Sequence, residues 1–87
     1  MNEIKTERPY QPVSCRLHSE YELAILQKRS LCLSWYKEGE RMPDLLITPL
    51  DIVTRNGAEY LLVNSPAPDA TFSIRLDYII EMRSQCG

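Results

Sequence analysis

The sequence predicts a mainly β protein with one N-terminal helix, an α+β fold whose antiparallel sheet curls into a small, partly open barrel. Three observations predict this class. A helix-capping pattern precedes a short stretch of helical periodicity, apolar and polar residues alternate through most of the remaining chain, and short turns separate the alternating segments. A chain of 87 residues is long enough for one domain with a small core.

The N-terminal part of the chain predicts an extended arm followed by a short helix. Residues 1–13 contain two prolines and mixed charges, and we expect them to be extended. The helix is predicted over residues 20–28, because Ser19 and Glu22 have the spacing of a capping box. Glu20 and Glu22 would also lie at the positive end of the helix dipole. Because so short a helix is unstable alone, it must pack on the sheet.

The period of the apolar residues changes from 3.6 to 2 at Ser30, which predicts a first strand that ends in a turn at residues 37–40. Residues 45–54 form the next apolar segment. Pro49 has no amide hydrogen to donate, so it marks a bulge, an edge or a break in that segment. The Asn-Gly pair at residues 56–57 then predicts a hairpin, since both residues tolerate a positive φ.

Three more segments complete the predicted sheet. Residues 59–63 predict a strand that is apolar on both faces, and residues 65–69 predict a loop. Residues 70–77 alternate most regularly, and residues 78–82 predict a last short strand. The helix would cover one end of the resulting barrel.

One helix followed by about five short strands is typical of small barrels of the SH3-like or Sm-like kind. We expect a single domain over residues 14–83 and a polar tail over residues 84–87. The expected core consists of eight apolar side chains on the strands: Leu31, Leu33, Val53, Leu62, Phe72, Ile74, Leu76 and Ile79.

The charge and hydropathy of the chain exclude several functions. Twelve acidic residues outnumber ten Lys and Arg, giving a net charge of −2, whereas nucleic-acid binding needs clustered basic residues. No apolar run approaches the roughly 20 residues that span a bilayer, and the N-terminus lacks the apolar core of a signal peptide. We therefore expect a cytoplasmic protein that contacts neither membrane nor nucleic acid.

The cysteines and the histidine do not form a recognisable reactive site. Cys15, Cys32 and Cys86 are odd in number and widely spaced, so we expect three reduced thiols. Cys15 and His18 have a C-x-x-H spacing, but a closed zinc site needs four ligands. A cysteine nucleophile would also need an orienting group and an oxyanion site. The sequence predicts no metal, no cofactor and no catalysis.

Two groups of residues can have either a structural or a functional role. Glu20 and Glu22 can complement the helix dipole, offer an anionic patch to a basic protein surface, or do both. The aromatic residues on the strands can pack in and around the barrel or stack on the bases of single-stranded RNA. These aromatic residues are Trp35, Tyr36, Tyr60, Phe72 and Tyr78.

Five fragments, in order along residues 10–80, resemble one protein family. They are YQPVSC (residues 10–15), ELA (22–24), KEGE (37–40), DIVTRNGAEYLLV (51–63) and IRLDYI (74–79). Together they resemble the Rof family, small bacterial inhibitors of the transcription termination factor Rho.

The resemblance implies an Sm-like barrel with an N-terminal helix that binds the N-terminal RNA-binding domain of Rho. Such binding would block the primary RNA site of Rho and so oppose termination. Members of the family use acidic and polar groups around the helix start and a neighbouring β-turn. The resemblance carries over Glu22 and Arg55 as contacts with Rho. With Ser19 and Glu20 at the helix start and Asn56 at the hairpin tip, they form the five residues through which we expect a monomer to contact Rho. A directly RNA-binding Sm-like protein is the alternative.

The sequence departs from the family pattern in two places. Residues 16–19 read Arg-Leu-His-Ser where the family has an acidic run, and Glu20 partly replaces the lost charge. Residues 42–49 form a segment that is a few residues longer and contains two prolines. Both departures concern the expected contacts with Rho and leave the predicted fold unchanged.

Overall fold

The computed structural model describes residues 9–66 and 69–86, and it confirms the α+β class. Residues 1–8 of the predicted arm, residues 67–68 of the predicted loop and Gly87 of the predicted tail lie outside the described residues. No helix in the described part of the chain is both long enough and apolar enough to cross a membrane. The elements are helix α1 (Cys15–Gln27), strands β1 (Leu31–Lys37), β2 (Glu40–Arg41), β3 (Leu45–Arg55), β4 (Ala58–Pro66) and β5 (Asp69–Arg75), a 3-10 turn (Leu76–Tyr78) and strand β6 (Ile79–Arg83).

The strands form one antiparallel sheet that curls back on itself. Its order is β2-β1-β3-β4-β5, and β6 pairs with β1. A single 3-10 turn carries the chain from β5 at one edge of the sheet to β6 beside β1 at the other. This return makes the sheet a partly open barrel, as the sequence predicts.

Helix α1 begins earlier than predicted. Its N-cap is Ser14, whose hydroxyl accepts a hydrogen bond from the amide of Leu17 at 3.2 Å. The predicted capping box at Ser19 is therefore wrong, because Ser19 lies inside the helix. The first turn contains no acidic residue, so Glu20 and Glu22 are not placed to complement the dipole at the helix start. The earlier start adds more than a turn of backbone hydrogen bonds.

The two features predicted between β3 and β4 are confirmed. The ladder shifts register between Pro49 and Asp51, so of the bulge, edge or break that the sequence left open at Pro49, the structure shows the bulge. Asn56 has a φ of 51° and Gly57 a φ of 79°, as a two-residue hairpin turn with matching twist requires. The turn pairs Arg55 with Ala58 and sets the register of the hairpin.

This register corrects two predicted core residues. Leu61 and Val63 of β4 are fully buried, whereas Leu62 and Val53 are half-buried on the opposite face of the hairpin. Successive side chains of a strand point to opposite faces, so a shift of one residue exchanges the core set for the outer set. Residues 60–63 are apolar throughout, so the alternation of apolar and polar residues could not show which face of β4 is buried.

The remainder of the predicted core agrees with the structure. Four predicted members are buried: Leu31, Leu33, Ile74 and Leu76. Phe72 and Ile79 are half-buried and pack against the core, which also contains Tyr21 of α1 and Ile47 of β3.

The prediction of three reduced thiols is wrong for two of them. Cys32 and Cys86 form a disulfide bond across a sequence separation of 54 residues, and Cys15 is a free, exposed cysteine. Pairing of β1 with β6 places Cys32 opposite Arg83, three residues before Cys86. The contact depends on strand pairing, which spacing along the sequence does not reveal.

Residues 9–13 are extended and lie against the barrel. The amide of Gln11 donates to a carboxylate oxygen of Asp77 at 2.9 Å, and Arg75 donates to the carbonyl of Pro9 at 3.4 Å. Val13 packs against the core. These contacts attach the described end of the predicted arm to the 3-10 turn.

The register of β4 is testable with a neighbouring pair of leucines. We expect Leu61→Ala to lower the free energy of unfolding by about 2–5 kcal/mol, because it leaves a cavity at a fully buried position. Leu62→Ala makes the same chemical change at a half-buried position and should cost less than half as much. Urea denaturation of both variants measures the difference. Equal costs, or a larger cost at Leu62, would contradict the register.

Candidate functional site

An open groove of about 590 Å³ lies between α1 and the β3–β4 hairpin. Four of the residues that line it come from the helix and four from the strands. They are His18, Glu22, Ile25 and Leu26 on α1, and Asp51, Ile52, Thr54 and Glu59 on the hairpin.

The spacing of three residues along α1 places their side chains on the same side of the groove. His18, Glu22 and Ile25 have i, i+4, i+7 spacing and therefore form one stripe along the helix. Tyr21 and Ala24, beside this stripe, are buried and hold the helix against the sheet. The start of the helix at Cys15 is what gives His18 a helical position, which the predicted start would not.

The register of the hairpin supplies the other half. Thr54 lies opposite Glu59, and Ile52 lies opposite the buried Leu61. Side chains of directly opposed residues share a face of the sheet, so Thr54 and Glu59 point to the face on which α1 packs. Asp51 follows the Pro49 bulge and also reaches the groove.

His18 connects the two halves. Its Nδ1 lies 3.6 Å from a carboxylate oxygen of Glu22, and its Nε2 lies 3.4 Å from Oε1 of Glu59. The same Glu59 oxygen accepts a hydrogen bond from the hydroxyl of Tyr10 at 3.5 Å. Burial, together with the charges of Glu59 and Asp77, raises the pKa of Tyr10. Glu59 therefore contacts both His18 of the helix and Tyr10 of the N-terminal segment.

Both carboxylates and apolar side chains line the groove. Glu22, Asp51 and Glu59 supply the negative charge, and Leu26, at 78% exposure, stands at the edge with its apolar surface in water. The backbone amide of Ile52 donates to Asp51 at 2.8 Å, which orients that carboxylate. Such a lining suits a lysine or arginine, whose methylenes would contact apolar surface while its charge meets a carboxylate.

The structure places the three predicted helix residues in different environments. Of Ser19, Glu20 and Glu22, only Glu22 lines the groove. Glu20 lies 3.6 Å from Arg16, with both side chains largely exposed. Such an exposed i, i+4 pair is worth only about 0.3–0.5 kcal/mol. Arg16 belongs to the segment that replaces the acidic run of the Rof pattern, and it offsets the charge of Glu20.

The predicted hairpin residues lie elsewhere. The Arg55 guanidinium stacks 4.3 Å from the centre of the Tyr60 ring and donates to the hydroxyl of Ser73. Strand alternation puts Arg55 and Tyr60 on the face opposite Thr54 and Glu59, away from α1. Asn56 is exposed at the tip of the hairpin, between the two faces.

Seven of the eight groove residues were absent from the predicted contact set, and three of these seven are ionisable: His18, Asp51 and Glu59. Asp51 and Glu59 belong to the fragment that resembles the Rof family, but the sequence assigned them no role. They could be identified only from the correct start of α1, which determines the residues that face the hairpin, together with the β3–β4 pairing, which determines the residues that face the helix. Within residues 9–66 and 69–86, no group of three or more His, Cys, Asp or Glu side chains is arranged to hold a metal ion.

No protein-family model matches the chain, and no curated protein matches its sequence. Among solved structures, the chain is similar to proteasome accessory factor B/C (PafBC) of Arthrobacter aurescens, with a TM-score of 0.69 and 18% sequence identity. The match covers 84% of this chain and 12% of that chain. At this identity the similarity shows the fold alone, and the family resemblance rests on the five sequence fragments.

Tyr21, which anchors α1 beside the groove, gives a pH-dependent prediction. Burial, with smaller contributions from Glu20 and Tyr10, raises the pKa of its phenol from 10.0 to about 12. Because the folded-state pKa is the higher one, the stability that this group contributes is complete below about pH 10 and is lost as the pH rises through about 12. We expect a loss of about 2–3 kcal/mol over this range, which Tyr21→Phe removes. Urea denaturation of both proteins from about pH 9 to about pH 12 measures it, and parallel pH profiles would contradict the assignment.

Proposed function

We propose that this protein is a Rof-like modulator of Rho-dependent transcription termination. It would bind the N-terminal RNA-binding domain of Rho, block the primary RNA site and so act as an antiterminator. On this proposal it is a cytoplasmic, monomeric binding protein without enzymatic activity or cofactor, and it contacts neither nucleic acid nor membrane itself.

The observation that carries the proposal is the carboxylate-lined groove. A surface that binds an RNA backbone must present lysine and arginine to the phosphates. Glu22, Asp51 and Glu59 gather negative charge in one place on a chain whose net charge is only −2. A basic cleft that holds RNA is complementary to such a groove, and charge pairs that lose water on binding add specificity.

The hairpin tip explains how separated residues can contact one partner. Glu22 and Glu59 lie on one side of the β3–β4 hairpin, Arg55 lies on the other, and Asn56 is at the tip. A cleft that encloses the tip would contact both sides at once. Ser19 and Glu20, on the exposed side of α1, would then lie at the rim of the interface.

The departure from the family pattern changes which residues should dominate. Arg16 offsets Glu20, and His18 lies between Glu22 and Glu59. Two of the three carboxylates in the groove, Asp51 and Glu59, come from the hairpin, so the negative charge of the site depends on the hairpin as well as on the helix. Asp51, which has no ion pair among the described residues, is the most available of them.

The aromatic residues on the strands weigh against the RNA-binding alternative. Tyr60 is covered by Arg55, Tyr78 is covered by Arg75 at 4.2 Å, and Trp35 packs against Phe72 with ring centres 6.0 Å apart. A stacking platform needs ring faces that successive bases can reach. Four of the five rings thus contact a side chain of the same molecule, and Tyr36 is the exposed member of the set.

Charge reversal tests the proposed interface. We expect Glu20→Lys/Glu22→Lys to weaken binding to the N-terminal domain of Rho at least tenfold, because like charges would meet across the interface. Glu38→Lys/Glu40→Lys makes the same charge change at the exposed β1–β2 turn and is the matched control. Fluorescence anisotropy at low and high salt measures both, and wild-type binding should weaken with salt. Binding by the Glu20→Lys/Glu22→Lys variant at the wild-type level would refute the helix-side mechanism.

An RNA gel shift separates the two functions. We expect the protein alone to leave a pyrimidine-rich RNA unshifted, and to release the same RNA from Rho when Rho is present. Glu59→Lys should abolish the release without affecting RNA binding by Rho. A shift by the protein alone would favour the Sm-like RNA-binding alternative over the antiterminator.

A further inference from the structure

The disulfide bond between β1 and the C-terminal segment is accessible from one end only. Cys32 has no exposed surface, whereas Cys86 is an exposed residue. A thiolate attacks a disulfide in line with the S–S bond, from the side opposite the sulfur that leaves. Attack on the Cys32 sulfur is blocked because Cys32 has no exposed surface, whereas the exposed Cys86 can be approached from solvent.

From this asymmetry we propose that Cys86 is a reversible S-thiolation site at which low-molecular-weight thiols open the Cys32–Cys86 bond. In the first step an external thiolate forms a bond to Sγ of Cys86. The S–S bond breaks, and its electron pair leaves on Sγ of Cys32. The products are a mixed disulfide at Cys86 and a thiolate at Cys32.

The surroundings of Cys32 favour this direction of cleavage. Nη2 of Arg83 lies 3.5 Å from Sγ of Cys32, so a guanidinium N–H faces the sulfur that takes up the negative charge. Arg83 is held in place by Asp44 at 2.6 Å and Glu81 at 3.2 Å. A cation beside a thiol stabilises the thiolate, and a better-stabilised thiolate leaves faster.

A second step determines the final state. The Cys32 thiolate can attack Cys86 again and expel the external thiol, which restores the original bond. Alternatively, a second external thiol attacks the mixed disulfide at its external sulfur. Cys86 then leaves as a thiolate, two external thiols have been oxidised to their disulfide, and the protein pair has been reduced by two electrons.

Opening the bond should change the C-terminal segment rather than the barrel. Strand β6 is paired with β1 from Cys32 opposite Arg83 to Trp35 opposite Ile79, independently of the disulfide. The groove is lined by α1, β3 and β4, none of which contains either cysteine of the bond. The inference is therefore independent of the proposed binding to Rho.

The test uses the full chain with Cys15→Ser, which removes the free thiol. The oxidised protein is mixed with reduced glutathione, quenched in acid, alkylated in denaturant and mapped by peptide mass spectrometry. We expect glutathione on the Cys86 peptide at a level at least tenfold above the Cys32 peptide. An adduct on Cys32, comparable adducts on both, or a bond that opens only in denaturant would each overturn the proposal.

The Arg83→Gln variant tests whether Arg83 stabilises the Cys32 thiolate as it leaves. We expect the bond to open several-fold more slowly in this variant, while Arg41→Gln, which removes a different partner of Asp44, leaves the rate unchanged. In a Cys15→Ser/Cys32→Ser background, Arg83→Gln should not alter the rate at which oxidised glutathione modifies Cys86, because no Cys32 thiolate leaves there. An equal slowing in both backgrounds would show a merely structural effect and remove Arg83 from the proposal.

Discussion

The register of the β3–β4 ladder is the constraint on which the core and the groove both depend. The Pro49 bulge fixes it at one end, and the Asn56–Gly57 turn fixes it at the other. Between them, this register buries Leu61. It also places Glu59 under α1 and leaves Arg55 on the outer face. A shift of one residue would exchange these environments and lose the core and the groove together.

Helix α1 contacts this surface through His18 because its N-cap is Ser14 rather than Ser19. The added turn gives His18 a place between Glu22 and Glu59, where it joins the helix to β4. The residues that line the groove include three carboxylates and neither lysine nor arginine. Glu20 differs, because a permanently charged arginine lies beside it.

Features that depend on a few neighbouring residues could be predicted from the sequence. The change of period at Ser30, the bulge at Pro49 and the Asn56–Gly57 turn could be identified because each requires a particular residue type or spacing. Errors arose where two local solutions compete. Ser14 and Ser19 can each cap a helix, and the longer helix gains backbone hydrogen bonds and the contacts of His18. The Cys32–Cys86 bond and the Glu59–His18 contact depend on pairing between distant segments, which no local pattern encodes.

Function follows from the surfaces of this barrel rather than from the barrel itself. Similarity to part of PafBC at 18% identity shows that the scaffold occurs in another sequence context, and a shared fold does not imply a shared partner. The charges of this chain are unevenly distributed over its surface. Three carboxylates are gathered with apolar side chains in one groove, while Arg55 and Arg75 are stacked on tyrosine rings outside it. A net charge of −2 understates the attraction of that groove for a basic surface, because a partner interacts with local charge within about a Debye length of 8–10 Å.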